Sequence, residues 1–314
     1  MSKYSVAFVG IGSIGKRHIR NLVTYLNSKG DSFEIDLYRS GHGSELPEDI
    51  RPNISKVYSY SDEISKNYDI VFITNPNISH YEALKRFAGH AKSFFIEKPI
   101  FDKTNVDLSI FDDLKDVECY VACPLRQHPV ISYIKNNVNL KDVFSARAIS
   151  SSFLPEWRPG QDYTKCFAAH RDMGGGVGID LIHEWDYLID FFGMPTKCYS
   201  IQEKISNLEI DSDDIALYIA KTPTTTIELH LDYFGRQTIR TLDLYLKEET
   251  IHCDLLAGTV SYLKEGKTVT MKVVRDDYQI AEIDHFFNII NHKVENDNTM
   301  KHAFDVLKIA KGDC

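Results

Sequence analysis

The feature that most constrains the fold is a glycine-rich turn that begins ten residues into the chain. Residues 4–9 form a short, mostly apolar run, Gly-Ile-Gly-Ser-Ile-Gly follows, and an amphipathic helical pattern comes next. Glycines at the first, third and sixth positions permit a tight turn, a close approach of phosphate and close packing of helix on strand. The helix N-terminus adds unpaired N–H groups that attract phosphate. A dinucleotide would therefore bind along Gly10, Gly12, Ser13, Ile14 and Gly15.

Strand and helix patterns alternate through the first 120 residues. The most apolar strand, within residues 68–74, reads as a strand that is covered on both faces. Such repetition predicts an α/β fold with a doubly wound parallel sheet, a Rossmann domain, over residues 1–122. The other predicted strands span residues 33–38, 93–96 and 118–123, and the predicted helices follow the glycine turn or span 79–88 and 104–114.

The end of the second strand indicates which nicotinamide cofactor binds. An NAD site usually places a carboxylate there, on the ribose hydroxyl. Here Asp36 lies two residues early, and the tip carries Arg39 and Ser40. Because a guanidinium and a hydroxyl suit a 2′-phosphate, NADP(H) is favoured over NAD(H). The alternative is that Arg39 is a solvated loop residue and NAD binds.

Two further polar segments follow strands at the same edge of the predicted sheet. Lys98, after the strand at 93–96, is expected to point towards the nicotinamide ring, and Pro99 would end that strand. The other segment is residues 74–80, which follow the strand at 68–74. Its Asn77 and Ser79 could also simply cap the next helix. The cofactor-binding residues predicted from these segments are Thr74, Asn75, Pro76, His80, Glu97 and Lys98.

A run of three glycines at residues 174–176 leads into a segment that carries an acid and a histidine. In a helix, Asp180 and His183 would lie at i and i+3, on one face and one turn apart. A carboxylate and an imidazole in that arrangement could form an acid/base pair. The alternative for His183 is a core histidine, since Leu181, Ile182 and Trp185 surround it in sequence.

A long polar and aromatic loop at residues 153–163 precedes the glycine run. Trp157 and Tyr163 can stack on sugar faces, and Arg158 and Asp162 can bind hydroxyls or a carboxylate. The alternative is a packed lid without substrate contact. Further substrate-binding candidates from predicted strand ends and loops are Arg126, Arg171, Tyr233 and Arg236.

Composition and charge limit the function. The 314 residues suffice for two domains, and the formal net charge of −9 argues against a protein whose main task is to hold nucleic acid. No apolar run is long enough for a transmembrane helix, and no signal peptide is evident. The six dispersed cysteines favour reduced thiols over disulfides or a zinc site. We therefore expect a cytoplasmic protein with no membrane or nucleic-acid partner and no metal.

Strand patterns dominate from residue 143 onward and alternate apolar with polar residues. We assign residues 123–314 to a second, α+β domain whose sheet has two unlike faces, with helices at 280–292 and 302–311. The domain would bind substrate, and the apolar side of its sheet is a candidate self-association surface.

Five motifs in order resemble the glucose–fructose oxidoreductase / inositol dehydrogenase family. They are Gly-x-Gly-x-x-Gly, Asn-Pro-Asn-x-x-His, Glu-Lys-Pro, Arg-x-His-Pro and Gly-Gly-x-x-x-Asp followed by His. The resemblance implies a nucleotide-binding domain followed by a domain with a large, open, mostly antiparallel sheet that commonly forms dimers or tetramers. It also implies oxidation or reduction of a hydroxyl carbon of a sugar, cyclitol or sugar nucleotide with NAD(P). One subset of the family, which shares a loop like that at 153–163, is found with bacterial surface-sugar enzymes.

By position, the resemblance gives three residues catalytic roles. Lys98 lies near nicotinamide and substrate, Asp180 is the family aspartate, and His183 exchanges a proton with the reacting hydroxyl and contacts the substrate. The chain departs from the family in two places. The aspartate-to-histidine spacing is three residues instead of four, and Cys123 stands where asparagine is common.

Two other classes of function stay open. One is a non-catalytic nicotinamide-binding sensor or scaffold, because a dinucleotide fold does not by itself make an enzyme. The other is a sugar lyase or hydrolase that oxidises its substrate transiently and recycles a tightly held cofactor. Retention of a lysine, an aspartate and a histidine suited to proton transfer favours the oxidoreductase.

Overall fold

The chain forms two compact units in the computed structural model, which describes residues 2–41 and 45–313. The first unit consists of the described part of Met1–Ala122 together with Gln279–Phe304. The second consists of Cys123–Tyr278 and the described part of Asp305–Cys314. The segment Gln279–Phe304 thus belongs to the first unit, whereas the sequence predicts it in the second domain.

The first unit is built on a six-stranded parallel sheet. Its strand order is β3-β2-β1-β4-β5-β6, which confirms the doubly wound α/β prediction. The order reverses between β1 and β4, and ligands of such sheets bind outside the carboxyl ends of the strands at that point. Its elements are β1 Lys3–Val9, α1 Ser13–Lys29, β2 Ser32–Arg39, β3 Ile54–Ser59, β4 Ile70–Ile73, α2 His80–Phe87, β5 Ser93–Ile96, α3 Ser109–Asp113 and β6 Glu118–Val121.

Aromatic side chains fill the core of this unit. Phe72 on β4 stacks on Phe8 at 4.5 Å and on Phe95 at 4.8 Å between ring centroids. Phe286, from the returning segment, meets Phe95 edge-on at 5.3 Å and Tyr120 at 5.9 Å. These buried contacts explain why residues 279–304 pack with the first unit: their aromatic face completes its core.

The second unit contains an eight-stranded sheet of order β14-β13-β12-β11-β7-β10-β9-β8. Only β7 and β10 pair in parallel, which confirms the mostly antiparallel sheet. The elements from here to the end of the described chain are α4 Pro129–Asn137, β7 Val143–Phe153, α5 Val177–Asp180, α6 His183–Phe192, β8 Lys197–Glu203, β9 Ile215–Lys221, β10 Thr226–Asp232, β11 Phe234–Leu246, β12 Thr250–Asp254, β13 Thr259–Tyr262, β14 Lys267–Thr270, α7 Arg275–Ile290 and α8 Met300–Ala310.

The two faces of this sheet differ, as alternation along the strands predicts. One face is buried and carries Ala148, Leu229 and Leu242 in adjacent strands. The other face exposes Tyr199 and Ile219, which are opposite each other on β8 and β9 and are 73% and 60% exposed.

Several local predictions need correction. The helix expected over residues 104–114 is limited to Ser109–Asp113, because the Asp107 carboxylate accepts the Ser109 N–H at 3.0 Å and starts the helix there. Strand β3 was not predicted because most of its side chains are exposed, so it lacks the apolar run of a buried strand.

Within the described residues, no helix is both long and apolar enough to cross a membrane.

Two of the buried thiols are chemically inert. Burial raises the pKa of Cys119 and of Cys253 to about 12, so neither supplies thiolate near neutral pH. Of the six cysteines considered in the sequence analysis, Cys314 lies outside the described residues.

Candidate active site

The glycine turn is held against the end of β4 by close backbone contact. Gly10 has φ of +88°, and a Cβ there would lie 2.7 Å from the Cα of Asn75. A Cβ on Gly15 would lie 2.8 Å from the hydroxyl of Thr74. That hydroxyl donates to the carbonyl oxygen of Gly10 at 2.9 Å. Thr74 and Asn75 therefore support the turn, and only glycine fits at its first and last positions.

The middle glycine faces open space. A Cβ on Gly12 would meet no atom of the described residues within 4 Å, and Gly12 immediately precedes the 17-residue helix α1. The first turn of α1 contains no acidic side chain. A helix N-terminus that is exposed and carries no acid in its first turn is suited to a phosphate group, so this turn fits the pyrophosphate of a dinucleotide.

Asp36 is committed to other partners within the first unit. Its carboxylate is 2% exposed, lies 2.7 Å from the Lys66 ammonium and accepts from the Tyr68 hydroxyl at 3.0 Å. Asp36 therefore takes no part at the tip of β2, where half-buried Arg39 and exposed Ser40 lie.

His80 joins two of the loops at the carboxyl edge of the sheet. Its ring is buried, Nε2 lies 3.0 Å from the carbonyl oxygen of Asn75, and Nδ1 lies 3.0 Å from that of Pro99 and 3.2 Å from that of Ile100. Burial lowers the pKa of His80, against the opposing effect of these carbonyl oxygens and the Glu97 carboxylate. The structure thus gives His80 a bracing role, and direct contact with a cofactor stays a prediction.

Lys98 follows β5 at the same edge and is half-buried. Its main-chain N–H donates to the Glu97 carboxylate at 3.2 Å, and the Lys98–Pro99 peptide bond is cis. Glu97 is itself buried and forms a hydrogen bond with His18. Both carboxylate oxygens of Glu97 thus have partners within the first unit.

In the second unit, Asp180 and His183 do not share one continuous helix, which corrects the helical i, i+3 prediction. Asp180 is the last residue of α5, and His183 is the first of α6. Both helices pack on Tyr218: a Cβ on Gly178 would lie 2.6 Å from its hydroxyl, and Trp185 meets its ring edge-on at 5.2 Å. The change of direction between the helices lets each pack on the same side chain.

Tyr233 fixes the position of the Asp180 carboxylate. The buried Tyr233 hydroxyl donates to Asp180 Oδ2 at 3.2 Å, and burial together with the Asp180 charge holds the pKa of Tyr233 well above its usual value. The Trp157 ring lies edge-on to Tyr233 at 5.3 Å, and its indole N–H donates to Ser152 at 2.9 Å. Trp157 and Tyr233, both candidates from the sequence, are therefore neighbours of Asp180.

The other two acids of this segment are paired with arginines. Glu184 is buried against Arg240, with 2.7 Å between carboxylate and Nε. Asp186 makes two bonds with buried Arg126, at 3.0 and 2.9 Å. Removing one partner of such a buried pair typically costs about 3–5 kcal/mol. The pair gives Arg126 a structural role, and substrate contact by Arg126 stays a prediction with no contact that supports it.

The Arg-x-His-Pro turn also caps a helix. His128 Nδ1 accepts the Val130 N–H at 3.2 Å at the start of α4. Burial, with a smaller effect of the Arg240 guanidinium, lowers the pKa of His128 to about 4, so its ring is neutral at physiological pH and able to accept. The motif is therefore explained by local structure.

Most of the remaining candidates are engaged within the second unit. The Tyr163 hydroxyl accepts the Glu209 N–H at 3.2 Å, and Arg171 bonds to Asp213 at 2.9 Å. Arg236 lies over the Phe153 ring at 3.8 Å. Arg158 is exposed next to Trp157. The loop is thus ordered by its own contacts, with Trp157 and Arg158 as its partly exposed members.

His18 is not among the residues that the sequence predicts for the site. It lies on the buried face of α1, 1% exposed, with Ile19 and Leu22 as buried neighbours on the helix. The sequence signal is a polar residue on a mostly apolar helix face, but its partner Glu97 is 79 residues away and only the fold joins them.

Comparison with protein families supports the reading of the first unit. Residues 4–107 match the Gfo/Idh/MocA model, described as an oxidoreductase family with an NAD-binding Rossmann fold. This match confirms the family resemblance over the nucleotide-binding region and identifies it as an NAD-binding Rossmann fold of oxidoreductase type. No curated protein matches the sequence.

Solved structures of sugar dehydrogenases share the fold of the whole chain. UDP-N-acetylglucosamine 3-dehydrogenase from Acidithiobacillus ferrooxidans is 16% identical, with a TM-score of 0.78 and coverage of 99% of this chain and 97% of that one. Levoglucosan dehydrogenase in complex with NADH is 16% identical, with a TM-score of 0.82 over 98% and 95%. An oxidoreductase from Agrobacterium radiobacter in complex with NAD+, L-tartaric acid and magnesium is 14% identical, with a TM-score of 0.78 over 98% and 94%. At these identities the likeness establishes the fold.

The two glycines of the turn should respond differently to alanine. Gly12→Ala fits sterically, so we expect its free energy of unfolding to change by less than about 0.5 kcal/mol, while its Cβ blocks the phosphate and raises the NAD(P)H dissociation constant about tenfold or more. Gly10→Ala meets Asn75 and should destabilise the fold itself. Urea unfolding and cofactor fluorescence titration measure both effects, and unchanged cofactor affinity in Gly12→Ala would contradict the assignment.

Proposed function

We propose that this protein is a nicotinamide-dependent dehydrogenase or reductase that transfers hydride between NADP(H) and a hydroxyl or keto carbon of a sugar, cyclitol or sugar nucleotide. The observation that carries the proposal is the uncovered glycine turn at the N-terminus of α1, within a region that matches an oxidoreductase family. The fold shared with dehydrogenases of UDP-N-acetylglucosamine and of levoglucosan supports a sugar-like substrate. Surface-polysaccharide or acidic-sugar metabolism is the setting we favour.

In the proposed reaction, bound nicotinamide supplies the hydride chemistry, and the protein handles the proton. His183 takes the hydroxyl proton at an imidazole nitrogen, a role that suits a group titrating near neutrality. Lys98 stabilises negative charge that develops on the substrate oxygen. Asp180 contributes a carboxylate whose position is fixed by the Tyr233 hydroxyl, which donates to Asp180 Oδ2 at 3.2 Å.

The proposed preference for NADP(H) rests on the tip of β2. The nearest carboxylate on that strand, Asp36, is paired with the Lys66 ammonium and accepts a hydrogen bond from the Tyr68 hydroxyl, so it is engaged away from the tip. Arg39 and Ser40 lie at the end of the strand, where a 2′-phosphate would lie.

Substrate selection is assigned to the loop around Trp157. Its indole is 37% exposed, yet its position is fixed by Ser152 and Tyr233. A partly exposed, immobilised indole is suited to pack on the apolar face of a sugar ring. Arg158 next to it, and Tyr163 further along the loop, would supply polar contacts.

We also propose that the protein self-associates through the open sheet face in the cytoplasm, as a homodimer or homotetramer. Tyr199 and Ile201 on β8 lie opposite Ile219 and Leu217 on β9, which places four large apolar side chains side by side. Three of them are more than half exposed, a concentration that typically marks an interface.

Substitution of the proposed proton-transfer residues should reduce turnover. Lys98→Ala and His183→Ala should each lower kcat about a hundredfold or more, while exposed Lys103→Ala and half-buried His285→Ala, both in the first unit, serve as controls. Absorbance at 340 nm with UDP-N-acetylglucosamine, levoglucosan or myo-inositol measures the rate. A product that forms without net absorbance change would indicate a lyase or hydrolase, and near-normal turnover would remove the substituted residue from the mechanism.

Arg39→Ala should weaken NADPH and spare NADH. Loss of a charge-assisted bond of about 1.5–3 kcal/mol corresponds to roughly a 10–100-fold rise in the NADPH dissociation constant. Fluorescence titration with each cofactor measures the change, and Arg51→Ala provides a matched arginine control on the same unit. Unaltered NADPH affinity in Arg39→Ala would show that Arg39 does not contact the phosphate.

Charges placed on the open face of the second sheet should dissociate the oligomer. We expect light scattering at micromolar concentration to give a dimer or tetramer for the unaltered protein and a monomer for Tyr199→Lys with Ile219→Lys. Leu256→Lys, at a site 51% exposed in the turn after β12, is the control that should keep the assembly. A monomeric unaltered protein would exclude self-association through this face.

A further inference from the structure

A buried histidine on α1 has no part in the reaction proposed above. His18 is 1% exposed, and its ring packs at 5.0 Å from Phe95 and 6.1 Å from Phe72, between centroids. A polar ring in such an apolar position costs free energy unless a strong partner satisfies it. The identity of that partner suggests what the residue does.

The partner is the carboxylate of Glu97. Its Oε1 is hydrogen-bonded to Nε2 of His18. The other oxygen, Oε2, accepts the main-chain N–H of Lys98 at 3.2 Å. His18 Nδ1 is buried and has no hydrogen-bond partner among the described residues. The tautomer with its proton on Nε2 is therefore preferred, because an unpaired ring nitrogen is cheaper to bury than an unpaired N–H.

The carboxylate at the centre of this arrangement is ionised at neutral pH. Burial raises the pKa of Glu97, but His18, Lys98 and His80 together outweigh burial and leave that pKa below its usual value. Two hydrogen bonds hold this carboxylate, one from His18 on α1 and one from the main-chain N–H of Lys98. A buried charge held in this way resists displacement, since any movement loses hydrogen bonds that water cannot replace.

We propose that His18 is a positioning residue: through Glu97 it fixes the backbone at Lys98 relative to the helix that carries the glycine turn. This inference rests on the proposed function only in that Lys98 takes part in the reaction. It gives Glu97 an internal role, in which each carboxylate oxygen accepts one hydrogen bond, and the cofactor contact of Glu97 stays a prediction. His80 braces the same turn from the other side, through Asn75 and Pro99.

The geometry explains why the two ends of this link need a rigid connection. The glycine turn and the Glu-Lys-Pro turn follow different strands, β1 and β5, with β4 between them. Hydride transfer tolerates little error in the relative position of cofactor and substrate groups. A hydrogen bond between α1 and the end of β5 connects the two turns rigidly.

A pair of substitutions at His18 tests the link. His18→Leu removes the donor, whereas the amide of His18→Gln can still donate to Glu97. We expect His18→Leu to lower kcat at least tenfold with less than a threefold change in the NADPH dissociation constant, and His18→Gln to recover most of the loss. His285→Leu and His285→Gln form the matched control, since His285 bonds to Asp297 at 2.8 Å in the same unit.

The double variant shows whether His18 acts through Glu97. If it does, His18→Leu combined with Glu97→Gln is no slower than the slower single variant, because both remove the same link. Full kcat in His18→Leu, no recovery in His18→Gln, or effects that multiply in the double variant would each overturn the proposal.

A second measurement does not depend on turnover. Because the folded-state pKa of Glu97 is lowered, its ionisation stabilises the fold above the unfolded pKa, and that contribution is lost as pH falls through the folded pKa. In urea unfolding between pH 7 and pH 4, His18→Leu should begin to lose stability at a higher pH than the unaltered protein, and His285→Leu should show a smaller shift, because Asp297 is partly exposed. Identical pH dependence in His18→Leu and the unaltered protein would refute the pairing.

The two readouts separate this inference from the proposed function. If Lys98→Ala keeps full turnover, the catalytic role of Lys98 fails, while the unfolding experiment still reports on the pair of His18 and Glu97. If Lys98→Ala is inactive and His18→Leu matches the unaltered protein in rate and in pH dependence, only the positioning role fails.

Discussion

The close approach of the glycine turn to the end of β4 is the contact on which the nucleotide-binding unit depends. Gly10 and Gly15 lie where any side chain would collide with Asn75 or Thr74, so the turn closes only on glycine. The Thr74 hydroxyl then bonds to the carbonyl oxygen of Gly10 and ties β1 to β4 at the point where the strand order reverses. With Gly10 and Gly15 packed, Gly12 stays exposed at the N-terminus of α1, where phosphate would bind in the proposed function.

In both units, buried carboxylates are held in fixed positions by buried or half-buried basic side chains. Arg126 and Arg240 neutralise Asp186 and Glu184 on α6, and His18 holds Glu97 at the end of β5. Such pairs are poor sources of net stability, since desolvation offsets most of their attraction. Such pairs fix the orientation of their side chains, because each pair has one geometry in which all its hydrogen bonds are made. The half-buried candidates for catalysis, Lys98, Asp180 and His183, follow or adjoin these fixed pairs in the chain.

Much of the candidate site was accessible from the sequence because the relevant signals are local. Glycine spacing, strand ends and the motif order identify the turn, Lys98 and the segment of Asp180 and His183. The roles of Arg126, His80 and Glu97 were not accessible in this way. Their partners lie 60, 19 and 79 residues away, and sequence spacing does not reveal which polar groups will be buried together. The helix break between Asp180 and His183 arises from packing on Tyr218, which also lies far along the chain.

By itself, the sequence determined the parallel α/β unit, the position of its glycine turn and the two-faced sheet, because periodicity and glycine placement act over a few residues. Only the tertiary structure decided which polar residues are committed inside the protein. It paired Asp36 with Lys66, Arg126 with Asp186 and His18 with Glu97. It also placed Gln279–Phe304 in the first unit, where Phe286 packs in the aromatic core. These outcomes depend on which surfaces meet after folding, and burial then fixes the charge and direction of each group.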